Sequence, residues 1–529
     1  MKKTQLATSI ALAAVLAATP IAMLGCSGDH YSEIKFSAQD TGYAVTSQGG
    51  STVAYGNNIY FVNGYRGYAD TDGKANVWDE VVKGGLYRTQ LNGERDANNK
   101  LEFVAQSDNE GIAFKYEKGT DYFDNEINVV GTTKIAPKTI GTEGYANGGL
   151  FIYDNYAYFA SPNNEKNKSG TVQTTRTDFF MMPLSGGKPT RIYTTTEKVD
   201  TSSSPYAFYK YGGSVYLVVK EDGNIVSVKV NPNKAKADDP VTFKVGATSV
   251  YFPVKDTYYK GISTNELEDF IYFVREVKDK DTQKSGTVIE AMRPDGKENF
   301  VVSMTNKTET IEAVRDGLLF YRSTDAKNDN VIEYTNLHNM LMEHSKSYKK
   351  AQDAITDEDK KTTNIKGTFP AVISSSITST YAFRADKNSN EVFFVGVTSS
   401  GMTLYQNDEN NPVRTQTLCT NSGTPQFIKD GYLYFAGSSS DYYRVPLFEN
   451  MEGFGEAQLL AENTSSATFG CDYAAGYFTY YAEVDQWASG YAYFVDLTHE
   501  GAEPIFVGQR AKSDIPTKKQ IEEAAGETE

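Results

Sequence analysis

Reactive chemistry usually announces itself through histidines, cysteines, tryptophans or grouped carboxylates, and this 529-residue sequence is sparing with the first three. Its four histidines (His30, His338, His344 and His499) are scattered, and no G-x-S-x-G, H-E-x-x-H or phosphate-binding loop occurs. Glycoside hydrolysis needs only two carboxylates assembled in space, and 68 acidic residues give no basis for choosing a pair. The two tryptophans are more pointed. Trp78 lies in GYADTDGKANVWDE and Trp487 in EVDQWASG, each beside carboxylates. Flat aromatic rings in such company suit stacking on sugars or gripping a peptide, although the same rings also pack their own loops down. The candidate ligand contacts are therefore Tyr65, Arg66, Tyr68, Trp78, Asp79 and Trp487. Asp70 and Asp72, just before Gly73, raise the question of calcium, which takes six to eight hard oxygens. Their spacing is not that of an EF-hand loop, and Asp-Gly is also an ordinary turn signal.

The elements that must position these residues are written as a repeat. QFIKDGYLYF (426–435) returns as EAVRDGLLFY (312–321), AFYKYGGSVYL (207–217) and FIYDNYAYF (151–159). Eight such first halves centre on 53–61, 152–159, 209–217, 265–273, 313–321, 385–394, 427–435 and 472–481. Most carry Asn-Asn, Asp-Asn, Gly-Gly or Asp-Gly between the runs, pairs that tolerate the positive φ of a tight hairpin. Each is followed by a second half and most by one further apolar run, such as GGLYRTQLNG and then LEFVAQ in the first unit. With 37 Tyr, 28 Phe and 44 Gly, the chain reads as all-β.

Four antiparallel strands per unit, at about 58 residues per repeat over 45–508, predict a β-propeller of eight four-stranded blades, with seven as the alternative. Runs such as YLYF are apolar on both faces, as strands sandwiched between neighbouring blades must be. Residues 31–38 (YSEIKFSA) are expected to add a ring-closing strand, and 509–529 to be a polar tail. The hairpin set resembles the tyrosine-rich propeller domain of Gram-positive surface lipoproteins, itself distantly similar to receptor propellers with YWTD repeats. That resemblance implies the fold and brings no catalytic residues with it.

The N-terminus fits the same company. Lys2 and Lys3 precede an apolar stretch ending in MLGC, which resembles the lipobox of bacterial lipoproteins. The resemblance implies a signal peptide over 1–25, a diacylglyceryl lipid on Cys26, a tether over 26–44, and an extracytoplasmic chain held at the cell membrane. A plain secretory cleavage or an uncleaved anchor are the competing readings. A net charge of −16 and a pI near 5.0 disfavour nucleic acid. Cys419 and Cys471 either pair or serve as two small buried residues.

In such a fold the inter-blade connections and the second-to-third strand loops share one face. The long segments 64–83, 107–144, 160–177 and 275–286 all fall there, so it is the expected working surface. The insertion 338–366 breaks the β pattern, with Met340, Leu341, Tyr348, Ala351 and Ile355 on one helical face, and belongs to the opposite face. The expected function is a binding module for a glycan, polymer or protein partner, needing no cofactor apart from the calcium raised above. A glycoside hydrolase or lyase and a scaffold without a small ligand are the alternatives.

Overall fold

The computed structural model describes residues 52–56, 58–62, 77–78, 81–82, 86–95, 101–103, 113–114, 116–120, 126–130, 132–136, 149–163, 168–169, 176–185, 189–197, 199, 206–234, 236–253, 270–278, 280, 285–305, 308–315, 317–324, 330–354, 371–372, 376–384, 392–407, 412–429, 431–437, 441–461, 472–474, 477–482, 491–497 and 504–507. The backbone closes the expected hairpins in two residues. Asp154 and Asn155 turn with φ of 50° and 64°, Gly212 and Gly213 with 56° and 73°. These are the left-handed angles that match strand twist across a two-residue loop.

Among the described residues, seven sheets are meanders of successive strands, the blades of a β-propeller. In chain order their first three strands are Phe151–Tyr153, Tyr156–Pro162 and Thr177–Pro183 (second sheet); Tyr206–Tyr211, Ser214–Glu221 and Asn224–Asn231 (third); Ala247–Tyr251, Ile271–Lys278 and Ser285–Met292 (fourth). The fifth sheet has Thr308–Arg315, Leu318–Thr324 and Asn330–Asn336; the sixth Ser379–Arg384, Val392–Thr398 and Gly401–Asn407. The seventh has Gly423–Lys429, Tyr432–Gly437 and Tyr442–Pro446; the eighth Asp472–Ala474, Tyr477–Ala482 and Tyr491–Asp496. Each adds an outer strand, and the third sheet adds two short ones, Lys236–Ala237 and Val241–Phe243.

The N-terminal sheet departs from that plan, so eight equal four-stranded blades do not form. Its strand Leu86–Arg95 is ten residues long and gives different stretches to different partners. Leu101–Phe103 pairs with its end, Ala113–Phe114 with Leu91 and Asn92, and Thr132–Ala136 with its start, making six strands in all. The segment expected to be a bare connection, 107–144, thus supplies the strand that completes the path. Two other expectations fail locally. The fourth sheet begins at Ala247–Tyr251 rather than near 265, and its strands continue in register to Lys278↔Ser285, which leaves only a short loop within 275–286. The proposed ring-closing strand over 31–38 and the tail over 509–529 lie outside the described residues.

The chain divides into two compact units, one of Met1–Thr194, Ser439–Tyr443 and Gln458–Glu529, the other of Thr195–Ser438 and Arg444–Ala457. In each, the core forms where faces of successive sheets meet. In the first unit Val53, Tyr60 and Leu86 of one sheet pack on Ile152, Phe159 and Met182 of the next. In the second, Tyr272 and Ile289 meet Leu319 and Tyr321, while Phe320 and Tyr334 on the other side meet Ala382 and Phe394. A blade with cores on both faces explains the unbroken apolar runs. Each such side chain contributes about 1.5–3 kcal/mol on burial.

The insertion in the fifth sheet is helical, but as two short helices, α1 (Leu337–His344) and α2 (Lys346–Asp353). Ser345, at φ −106° and ψ 111°, ends α1 and caps α2, and its Oγ accepts the Tyr348 N–H. That break redirects the expected apolar face. Leu337, Leu341 and Tyr348 are buried against the fourth and fifth sheets, whereas Met340 and Ala351 are only half-buried. Among the described residues no helix is long and apolar enough to cross a membrane.

Candidate functional site

In the second unit the first strands of successive sheets lie against one another, Ala247–Tyr251 beside Thr308–Arg315 and Ser379–Arg384 beside Gly423–Lys429. They are the innermost strands. A regular innermost strand buries the residue three before its hairpin's closing pair, as Phe208 shows with 1% exposure. In the fifth and seventh sheets that position is a β-bulge. Ile311 pairs with Tyr321 and Ala313 with Phe320, so Glu312 is the extra residue; Pro425 pairs with Phe435 and Phe427 with Tyr434, so Gln426 is. The fourth sheet bulges at Thr248, whose hydroxyl donates to the Val274 carbonyl at 3.1 Å. A bulge frees one side chain from the in–out alternation and re-aims it.

Glu312 uses that freedom to join neighbours. Its Oε1 accepts from Arg322 Nε at 2.7 Å, and its Oε2 accepts from Thr380 Oγ1 at 3.4 Å across the boundary with the sixth sheet. Glu312 and Arg322 are 27% and 21% exposed at their side chains, so the pair is neither sealed nor fully solvated. Arg322 stands directly opposite Thr310, on the same face, and Thr310 is exposed. Among the described residues, only Nε of its guanidinium is engaged. Gln426 is exposed and lends one amide N–H to the Thr424 carbonyl at 3.3 Å. Three consecutive innermost strands thus present Glu312, Thr380 and Gln426, with Arg322 of the fifth sheet's second strand balancing the Glu312 charge.

A second polar network lies at the loop end of the fourth and fifth sheets. Glu309, 2% exposed, accepts from Thr287 at 3.4 Å and Ser303 at 3.1 Å, while its N–H donates to Thr287 Oγ1 at 3.0 Å. Tyr321 bonds to Ser303 and Glu333, and burial, with those two carboxylates nearby, raises its phenol well above the ordinary value. Two carboxylates in one network are what hydrolysis requires in kind. Glu309, however, is enclosed by hydroxyl donors from the adjoining sheet and serves as a latch between blades. Glu221 and Glu197 act similarly, accepting the N–H groups of Thr196 at 3.0 Å and Asp222 at 2.9 Å, which fastens a connection to the third sheet's turn.

The helical insertion is fastened by a third cluster. The Arg293 guanidinium, 2% exposed, lies 3.7 Å from the Phe270 ring centroid and 4.9 Å from that of Tyr211. It donates to Ser347 Oγ from Nε at 3.1 Å and from a terminal nitrogen at 2.8 Å. Glu298 accepts from Ser345 Oγ at 2.5 Å, Ser347 Oγ at 2.7 Å and the Ser347 N–H at 3.0 Å. Burial raises the Glu298 carboxyl, but those hydrogen bonds and the Arg293 charge outweigh it and leave it below its ordinary value.

Of the residues singled out by sequence, Cys26, Tyr65, Arg66, Tyr68, Asp70, Asp72, Asp79 and Trp487 lie outside the described residues. Trp78 is placed by its backbone only, in the strand Val77–Trp78, opposite Val81 of Val81–Val82. Among the described residues, no three His, Cys, Asp or Glu side chains gather to hold a metal. Cys419 is a free buried thiol on the Asn421 carbonyl at 3.5 Å, and Cys471 lies outside the described residues. The bulged residues were not anticipated, although the repeat alignment puts Glu312 and Gln426 in one column, polar where Phe208 is apolar.

Several solved structures match this chain at low similarity. The β-propeller domain of the Trilobed protease from Pyrococcus furiosus is 9% identical, with a TM-score of 0.33 over 81% of this chain and 98% of that one. The Dos1 propeller is 9% identical, with a TM-score of 0.33 over 87% and 93%. Dipeptidyl peptidase 4 from Porphyromonas gingivalis is 11% identical, with a TM-score of 0.37; the match covers 90% of this chain and 62% of the peptidase. Scores of this size carry no functional argument. No family model matches the sequence, and no curated protein matches it.

Proposed function

We propose that this chain is a lipid-anchored, extracytoplasmic β-propeller that binds a glycan, polymer or protein partner, of the kind found among tyrosine-rich surface lipoproteins. The observation that carries this reading is the division of labour among its polar side chains. Glu309, Glu221 and Glu298 are consumed in fastening sheets, connections and helices, whereas the charge-balanced Glu312–Arg322 pair stands partly exposed and Gln426, two sheets on at the same repeat position, is exposed. Such a group recognises a ligand; it offers no activated nucleophile.

Two experiments test the reading. Cys26→Ala should move the protein from the membrane to the soluble fraction, and unchanged membrane retention would refute the lipid anchor. A screen of the full chain against polysaccharides and peptides should give a ligand bound more weakly by Trp78→Ala at unchanged thermal stability. Turnover of a retained glycan would establish the hydrolytic alternative instead.

A further inference from the structure

We infer that the innermost-strand bulges of the fifth and seventh sheets read the ligand, and that this ligand is a neutral polyhydroxylated chain, a polysaccharide without acidic groups. The inference rests on the binding-module reading and deepens it. Three features of the described structure lead to it. First, Glu312 and Gln426 occupy the same repeat position, and each is displaced from the strand register by its own bulge. The fourth sheet bulges at the same position, where Thr248 bonds the Val274 carbonyl; in the fifth and seventh the bulge instead carries a planar polar side chain where Phe208 fills the regular equivalent inside the core.

Second, the group is electrically complete. Glu312 already balances Arg322 at 2.7 Å, so an anionic ligand would have to compete with an internal carboxylate, within a chain of net charge −16. Third, the vacant valences suit hydroxyls. The terminal nitrogens of Arg322 are unengaged among the described residues, and Gln426 offers an amide oxygen together with an N–H. The exposed Thr310 and Thr424 add hydroxyls on the same strands. Adjacent sugar hydroxyls each donate and accept, and a planar fork engages two of them at once.

The test is affinity electrophoresis of the full chain in non-ionic detergent, through native gels containing dextran, mannan, xylan or laminarin, with polygalacturonate as the acidic polymer. At least one neutral polymer should retard the wild type. Arg322→Gln and Gln426→Leu should each weaken that retardation about tenfold or more, with the unfolding midpoint of Gln426→Leu unchanged. Because Gln426 is exposed, its variant decides the matter even should Arg322→Gln unfold. Retardation unaffected by Gln426→Leu, and by a folded Arg322→Gln, overturns the inference while leaving the binding-module reading intact. Retardation by polygalacturonate alone overturns the ligand class. No retardation by any polymer also overturns it, and a blank peptide array in addition would bring down the parent reading.

Discussion

Phe61 and Phe494 meet edge to face, their ring centroids 6.0 Å apart and their planes at 80°, although one belongs to the first sheet and the other to the last. Both rings are fully buried. The first strand of the N-terminal sheet also lies against Asp472–Ala474, the first strand of the last. Both sheets belong to the same compact unit, so the contact couples sequence-distant parts of that unit.

Replacing either phenylalanine by alanine should therefore lower stability by about 3–5 kcal/mol, as large aromatic truncations in a core do. The double variant should cost less than the sum of the two, since the edge-to-face contact is lost only once. Denaturant midpoints of the four proteins would check this, and strict additivity would mean that the rings do not support one another.

Arg293→Ala should cost about 3–5 kcal/mol by leaving Glu298 without its cation and Phe270 without its cap. The loss should be local to α1 and α2. Amide hydrogen exchange over 337–354 should accelerate well before that of the sheets.

Acid should act on the same cluster in two stages. The folded Glu298 carboxyl lies below its ordinary 4.5, so proton binding favours the undocked state; its contribution is complete above that value and is lost as pH falls through the folded one. Burial also depresses the imidazole of His338, which bonds Tyr348 at 2.9 Å, below its ordinary 6.5. Its contribution too is lost on acidification, starting below 6.5. Glu298→Gln should flatten the stability profile of the insertion below about pH 4.5, and His338→Gln the shallower slope that begins near pH 6.5. Identical profiles for wild type and variants would show that neither group is linked to docking.

Gly296→Ala should destabilise by about 1–3 kcal/mol, since the new Cβ would run into the Phe243 ring at a φ of +71°. Adding Phe243→Ala should recover the steric part and leave the backbone part. A chemical denaturation series on the three variants separates them.

Cys419 should resist thiol reagents in the native state at pH 8. Its thiol is buried, which pushes its pKa up to about 11 against the small lowering effect of backbone hydrogen bonds. In a Cys26→Ser, Cys471→Ser background, labelling should appear only as the protein unfolds. Prompt native labelling would contradict this burial.

The hairpins were legible because two local signals coincide in them, aromatic runs on either side and a residue pair suited to positive φ. At Asp154-Asn155 and Gly212-Gly213 the backbone follows those signals directly. The insertion was legible as helix for the same reason, a change of period. What escaped notice depends on pairing over distance. Nothing local in LEFVAQ says that 132–136 will complete the first sheet, because that choice rests on how much of Leu86–Arg95 remains unpaired. Likewise Arg293 reads as an ordinary turn arginine until Ser347 and Glu298 are folded against it. The bulges are an intermediate case: Glu312 and Gln426 align in sequence, but only the ladder reveals them as extra residues.

Those bulges bear on how such a chain can change over time. A residue held in the regular ladder answers to two cores and tolerates few substitutions. Gln426, exposed and bonded to its own strand, has been released from that obligation, so its chemistry can be exchanged almost independently of folding, whereas Glu312 still ties its strand to Arg322 and Thr380. One architecture is thereby able to acquire new preferences through a handful of substitutions, with its framework untouched.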